Sequence, residues 1–519
     1  VSTASTNFQV SGLSGEDGQQ NGGYSIRGLA PGTYRLILED PDRMGTDPST
    51  INRVTRTNAP RILTDPVADE YWSASGEGAL AEPVPGPTSN LTLGAGQIVS
   101  NIDFRDYLPP EGTNYYVDDD SNIGDTFTPG AIGNDTNSGK SPLAPKRSLE
   151  NLLAVYNLKA GDTVYVDTGN YGGETRIRGS DADGTSNAPI TIRGPDGGGP
   201  VFSGVPGERN GIYFADGKYV RLWNVTVRGY TNGIGVGANA TNIEIRGNTA
   251  VSNYYTGIRL GASTVRSVRV VSNQVHGRRL CRYGVLISGA DANTITNNRI
   301  SRHAAIGVEL NATSMTNRIV NNNITSNSNT GIYIPSSGAD ANTVASNLVD
   351  GAGYGGFGIL LIDADRSLIE RNTIRGHSAY GIWLTGTAQT NRVLRNTIRS
   401  NGQYGIYLDG TSVDANRIRS NQIDGRGYQI RGIRVNDGDY NTISRNQIGR
   451  NTAAGIHIIA SAFSNTIASN SIYSNGAVGV AITNGSPTGT RLVRNTIWRN
   501  GRIGVGIYTG IGSKLIGSV

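Results

Sequence analysis

One motif returns with near-constant spacing through more than two-fifths of the chain and leaves little freedom to the fold. Asn-x-(Ile/Val) places asparagines at Asn273, Asn298, Asn322, Asn347, Asn372, Asn396, Asn421, Asn446, Asn470 and Asn495, in steps of 24 or 25 residues. Between them runs Gly-(Ile/Val)-x-(Ile/Leu/Val), headed by glycines such as Gly257, Gly284, Gly307, Gly331, Gly358, Gly381, Gly405, Gly432, Gly455, Gly479 and Gly506. A third short apolar segment precedes each step, as at Asn293, Asn317, Asn342, Asn391 and Asn441. Three short β-branched segments per period, separated by Gly, Asn and Ser, leave no room for a helix, so equivalent strands must stack in parallel on the preceding coil. The spacing predicts an all-β, right-handed, three-sheet parallel β-helix with an aliphatic interior. The repeated asparagines are expected to form a structural ladder, each amide bonding to the turn backbone and to the Asn of the next coil, rather than a binding site.

A longer period lies above the first. The gap from ladder Asn to next Gly is usually 9 residues but 11 at Asn273, Asn347, Asn421 and, with Gly506 as the match, Asn495, so the unit is three coils and 74 residues. At ~4.8 Å per coil, a longer turn is expected every ~14 Å along one edge.

Composition narrows the setting. No segment is apolar enough to span a membrane. The chain starts at Val1 without a signal-like stretch, which reads as a processed or truncated product. One cysteine, Cys281, excludes an internal disulfide framework and reads as a small buried side chain. Residues 1–198 carry 14 Lys and Arg against 26 Asp and Glu, a net −12, whereas residues 199–519 carry 32 against 15, a net +17, and all those cations but Lys218 and Lys514 are Arg. This division favours an acidic partner for the basic part, either an acidic polysaccharide or the acidic end of another copy. Nucleic acid is disfavoured, because the sequence shows no aromatic stacking platform.

Residues 1–108 read as a small β-sandwich and 109–162 as a linker with a capping helix, leaving 163–519 for the solenoid. The helix is expected from Ser148 as N-cap, with Leu149, Leu152, Leu153 and Tyr156 on one face and Gly161 at its end; Thr163–Val166 then opens the first coil. At the far end no amphipathic helix or polar cap follows the last repeat, so the final coil is expected to be completed by another subunit or by further repeats.

The N-terminal segment, through Gly23, Tyr24, Gly28, Leu29, Pro31, Gly32, Thr33 and Tyr34, resembles the prealbumin-like B-type repeats of bacterial surface proteins. That resemblance implies a stalk or spacer, often with calcium; the usual first strand is missing, and β-strand addition from a neighbouring copy is the expected remedy. From Asn114 onward, through NYYVDDDSN, GDTVYVDTGNY and NAPITIRGP, the chain resembles secreted β-helix proteins of the pectate-lyase and NosD-like type. That resemblance implies the fold and an extracellular or cell-surface, bacterial setting; lyases, hydrolases, epimerases and inert surface proteins all share it.

No catalytic set stands out from the sequence. Lys218 and Lys514 lie in no cluster, and the acid pairs Asp363/Asp365 and Asp437/Asp439 are 74 residues apart and read as scaffold. His303, His377 and His457 read as isolated surface or turn residues. The best irregular cluster is His276, Arg278, Arg279, Arg282 and Tyr283 in the first long turn, a candidate anion or glycan contact. Asp118, Asp119, Asp120 and Asp135, with Asp125, offer hard oxygen ligands for calcium in a loop; no cofactor is required. The regularity favours an extracellular structural or adhesive protein assembling head to tail; the alternative is a lyase or epimerase acting on an acidic glycan.

Overall fold

The computed structural model describes residues 112–483, 487–508 and 512–517, together with the backbone of six short strands nearer the N-terminus. The chain divides into two compact units, Val1–Pro109 and Pro110–Val519. In the first, Gly32–Glu39 pairs antiparallel with Val54–Arg56, Ala68–Tyr71 and Leu91–Leu93, and Val10–Ser11 pairs with Ser25–Ile26. The side chains behind the prealbumin-like resemblance lie outside the described residues.

The second unit is a three-sided, right-handed parallel β-helix. Each coil gives one strand to each of three parallel sheets of 16, 14 and 14 strands, called here first, second and third in the order in which the chain visits them. The coil around Asn298 shows the plan: Thr294–Thr296 in the first sheet, Arg299–Ser301 in the second and Ile306–Asn311 in the third. Inward positions carry Ile295, Ile300, Val308 and Leu310, all buried, and each lies in a file of Ile, Val or Leu on neighbouring coils. Because the side-chain period of a strand is two, these files fix the register of every coil.

The corners are as regular as the strands. Asn273 Nδ2 donates to Asn298 Oδ1 at 2.9 Å and to the Ile245 carbonyl at 2.9 Å, and the same pair of bonds recurs from Asn322, Asn347, Asn372, Asn396, Asn421, Asn446 and Asn470. The residue before each ladder Asn takes a left-handed conformation, as in Asn297 at φ 57° and Arg395 at φ 54°, which lets two residues turn the chain. Glycine heads the third-sheet strand because nothing larger fits: a Cβ on Gly307 would meet the Gly331 carbonyl at 2.6 Å and Asn327 Nδ2 at 2.7 Å.

Two further asparagine files appear. One, through Asn293, Asn317 and Asn342, closes the corner between third and first sheets; the other, through Asn253, Asn327, Asn401, Asn451 and Asn475, closes that between second and third.

Three expectations are corrected. Asn114–Val117, assigned to the linker, is the outermost strand of the first sheet and pairs with Thr163–Val166, because Tyr115 and Val117 alternate into the core. The helix spans Leu149–Val155 with the Ser148 hydroxyl accepting from Asn151 N at 3.2 Å, and it ends well before Gly161, with the Tyr156 backbone extended. Gly504, not Gly506, continues the glycine file, since Val480 pairs with Val505; the last coil therefore has a short turn and the three-coil phase stops there.

Candidate functional site

In the motif x-Gly-(Ile/Val)-x-(Ile/Leu/Val)-x the inner positions fill the core, and the three x positions point out from the third sheet. Along the middle of that outer face run Glu309, Tyr333, Leu360, Trp383, Tyr407, Arg434 and His457, in register on seven consecutive coils. Beside them lie Phe357, Tyr380, Tyr404 and Arg431. Parallel pairing sets neighbouring residues about 4.8 Å apart, close to the stacking distance of aromatic rings. Tyr380 and Tyr404 are stacked with centroids 5.1 Å apart and planes at 2°, and Trp383 and Tyr407 are nearly parallel at 6.1 Å. The absence of an aromatic platform read from sequence is thus corrected; composition hides it because each coil contributes only one or two rings.

Cations and acids close the platform. Arg434 lies over Tyr404 and Tyr407, 5.2 and 5.5 Å from the ring centroids, and its Nη1 donates to the Tyr404 hydroxyl; Arg431 lies 5.7 Å from Tyr404. Asp409, at the end of the same strand as Tyr407, accepts from Asn436 Nδ2 at 2.9 Å. His457 Nε2 lies 2.7 Å from Thr483 Oγ1, and burial, reinforced by Arg431 and Arg434, lowers the imidazole pKa to about 4. The ring is therefore neutral at neutral pH. Further along the face, burial raises the pKa of Glu309, whose Oε1 accepts from Asn311 Nδ2 at 2.8 Å, and pushes the Tyr283 phenol up to about 12.

Buried polar atoms without a protein partner concentrate on this face. They include Trp383 Nε1, Arg434 Nε, His457 Nδ1 and Asn311 Oδ1. Such groups are costly when nothing hydrogen-bonds to them.

The residues singled out from sequence fall elsewhere or divide. Arg278, Arg279 and Arg282 are exposed on the first long turn and His276 is half-buried on the second sheet; Tyr283 alone reaches the third-sheet face, where Arg282 lies 5.1 Å from its ring. His303 and His377 are buried corner residues rather than surface ones. The two acid pairs carry turns: Asp363 and Asp365 accept from the amides of Thr387 and Gln389, and Asp437 and Asp439 from those of Ser461 and Phe463. The expected calcium carboxylates divide: Asp118, Asp119 and Asp125 lie near one another and near Asp167, whereas Asp120 and Asp135 bond elsewhere. Asp118 accepts from Thr128 Oγ1 and burial raises it to about 7; Asp119 serves the amides of Ser121 and Asn170; Asp120 pairs with Arg147; Asp135 takes Asn151 Nδ2. Among the described residues no three His, Cys, Asp or Glu side chains are placed to hold a metal ion, and no helix is long and apolar enough to cross a membrane.

Fold and site define a right-handed parallel β-helix protein with one elaborated sheet face, and residues 283–431 match the family model for the right handed beta helix region. Residues 157–348 and 410–504, more than half of the chain, match the model described as periplasmic copper-binding protein (NosD), and the chain belongs to that family. Copper favours imidazole and sulfur ligands, but the sequence has 4 His, 1 Cys and 2 Met, and among the described residues no three His, Cys, Asp or Glu side chains come together to hold a metal ion, so these residues do not fit a copper centre. No curated protein matches the sequence. Among solved structures, the periplasmic alginate epimerase AlgG is 14% identical, with 70% of this chain and 78% of that one covered and a TM-score of 0.36. The Azotobacter vinelandii mannuronan C-5 epimerase AlgE4 A-module is 15% identical over 68% and 91%, with a TM-score of 0.40. A mannuronic acid specific polysaccharide family 6 lyase from human gut microbiota is 15% identical over 70% and 79%, also at 0.40. These likenesses concern the solenoid and assign no residue.

Proposed function

We propose that the outer face of the third sheet binds a linear acidic polysaccharide and that its Tyr404–Arg434–His457 region acts on a uronate unit as a lyase or epimerase. The observation that carries this reading is the continuous file of stacked rings ending in two arginines and a neutral imidazole, with partnerless polar atoms on the same residues. Flat rings in a row match the apolar faces of successive sugars, whereas guanidinium groups match carboxylates. Lyase and epimerase chemistry both begin by removing the proton α to the uronate carboxylate. Arg431 and Arg434 would neutralise that carboxylate, and the neutral His457 ring would take the proton. The net +17 of residues 199–519 draws a polyanion to the solenoid. The family's periplasmic description supports an exported protein. A structural or adhesive role accounts for the asparagine files but gives no reason for buried, partnerless Trp383 Nε1 and His457 Nδ1 on an outer face.

The test is to incubate the chain with polyuronates and with neutral dextran in deuterated water. Binding of a polyuronate, with deuterium incorporation at the carbon bearing the carboxylate or the appearance of unsaturated ends, is expected. Trp383→Ala should weaken binding, and Arg434→Gln and His457→Ala should abolish exchange. No affinity for any acidic glycan would refute the proposal; binding without exchange would remove its catalytic half.

A further inference from the structure

The three long turns, 74 residues apart, differ in charge at several positions, and the first residue of each turn decides how its arginines are paired. His276, Asp350 and Asp424 occupy a single file on the second sheet, three coils apart. All three accept a hydrogen bond from the backbone amide two residues ahead. Asp350 Oδ1 accepts from Ala352 N at 2.9 Å, Asp424 Oδ1 from Arg426 N at 3.2 Å, and His276 Nδ1 from Arg278 N at 3.0 Å. The two aspartates also neutralise arginines. Asp350 pairs with Arg375 at 2.8 Å, and Asp424 takes Arg450 through both oxygens and Arg426 at 3.6 Å. At the first turn the two arginines of the third turn have counterparts, Arg278 for Arg426 and Arg302 for Arg450, whereas Ser301 stands at the place of Arg375, and an imidazole stands in place of the carboxylate.

The turn has thus kept its hydrogen bond and lost its anion. Arg278 and Arg302 are exposed, and no carboxylate among the described residues forms an ion pair with either. Both lie near the His276 ring, whose pKa is lowered by burial first and then by Arg302, Arg278 and Arg299. Arg279 extends the patch along the edge, donating to Ser328 Oγ at 3.1 Å and lying 4.6 Å from the ring centroid of Tyr354 in the second long turn. At the third turn Arg426, Arg450, Thr452 and Ser474 border an open groove of about 610 Å³.

We propose that the first long turn is an oxyanion site in which Arg278 and Arg302, released by the Asp-to-His exchange at residue 276, hold a sulfate or carboxylate group of a glycan crossing this edge. The site lies on a different corner residue set from the sheet-face platform and stands without it. A guanidinium with no internal carboxylate makes charge-assisted hydrogen bonds to an incoming oxyanion.

The experiment uses the full chain carrying Trp383→Ala and Arg434→Gln, which disable the sheet face. Dextran sulfate, a polyuronate, inorganic sulfate and neutral dextran are the probes, in low salt. Binding of one or both polyanions, and none of dextran, is expected; the stronger polyanion identifies the group. His276→Asp restores the carboxylate of the other two turns and should weaken that binding by about tenfold with an unchanged melting temperature. Asp424→His, which releases Arg426 and Arg450, should strengthen it. If His276→Asp binds as tightly as its parent, the assignment is wrong. Deuterium exchange at a uronate by the chain with an intact sheet face reports the other site and should ignore residue 276, so failure of one proposal is separable from failure of the other.

Discussion

His303 and His377 stand where other coils place asparagine, and each meets the constraint of that position with a titratable ring. Asn327 Oδ1 accepts from the His303 amide at 3.0 Å and lies 2.9 Å from His303 Nδ1, so the ring donates from Nδ1; Asn401 holds His377 in the same way. Burial lowers both pKa values from 6.5 to about 4. The unfolded chain therefore binds more protons between those limits, and stability is fully present above about 6.5 and falls as pH drops towards 4. Thermal melts across that range should show an acid-side loss that His303→Asn and His377→Asn each reduce; melts of equal slope would remove the effect. Cys281 makes the opposite prediction. Its thiol donates to the Tyr283 carbonyl at 3.1 Å and burial pushes its pKa up to about 12, so iodoacetamide should modify it only after unfolding. Neither histidine was legible as buried when read alone. The available signal was position, since His303 and His377 fall five residues after Asn298 and Asn372, the offset at which Asn327, Asn401, Asn451 and Asn475 also follow ladder asparagines.

At the scale of the element, the corner is the unit of stability. Asn372 Oδ1 accepts from Asn347 N at 2.9 Å and Asn347 Nδ2 at 3.0 Å, while its own amide donates to the Val344 carbonyl at 2.8 Å. Asn372→Ala orphans the buried Asn347 amide and Val344 carbonyl on the preceding coil, at about 1–3 kcal/mol each, and removes one of the bonds to Asn396 Oδ1 on the following coil. Calorimetry should therefore show a loss larger than that of an exposed substitution such as Arg371→Ala, and equal losses would deny the ladder its role. This layer of the fold was readable because stacking repeats identical requirements at identical intervals: a Gly where Asn and Ile crowd it, an Ile inside, an Asn at the bend. The platform was not readable by the same means. Trp383, Tyr407, Arg434 and His457 occupy the one strand position that neither core nor corner constrains, so they differ from coil to coil and a search for constancy passes over them. Aligning the middle x of the glycine motif across coils would have brought them into one column.

For the whole molecule, stability in a solenoid is close to a sum of coils and their interfaces, so whole units are removable when the phase is kept. Deleting residues 348–421, one 74-residue unit, joins Asn347 to Gln422, which lies in the same file as Leu348, Thr373 and Thr397. Every strand then meets a neighbour of its own kind, and Tyr428 replaces Tyr354 as the next long turn beside Arg279. The deletion also removes Phe357, Tyr380, Trp383, Tyr404, Tyr407 and Asp409 while leaving Arg431, Arg434 and His457 on the third sheet. The shortened chain should retain a cooperative melt and a β-rich circular dichroism spectrum, because its core files and corners are intact. It should bind a polyuronate more weakly, by the share the ring platform contributes, while keeping the charge-driven association of the first long turn with whichever polyanion that turn prefers, because His276, Arg278 and Arg302 precede the cut. Undiminished polyuronate binding would show that basic charge, spread along the solenoid, and not the ring platform selects the ligand.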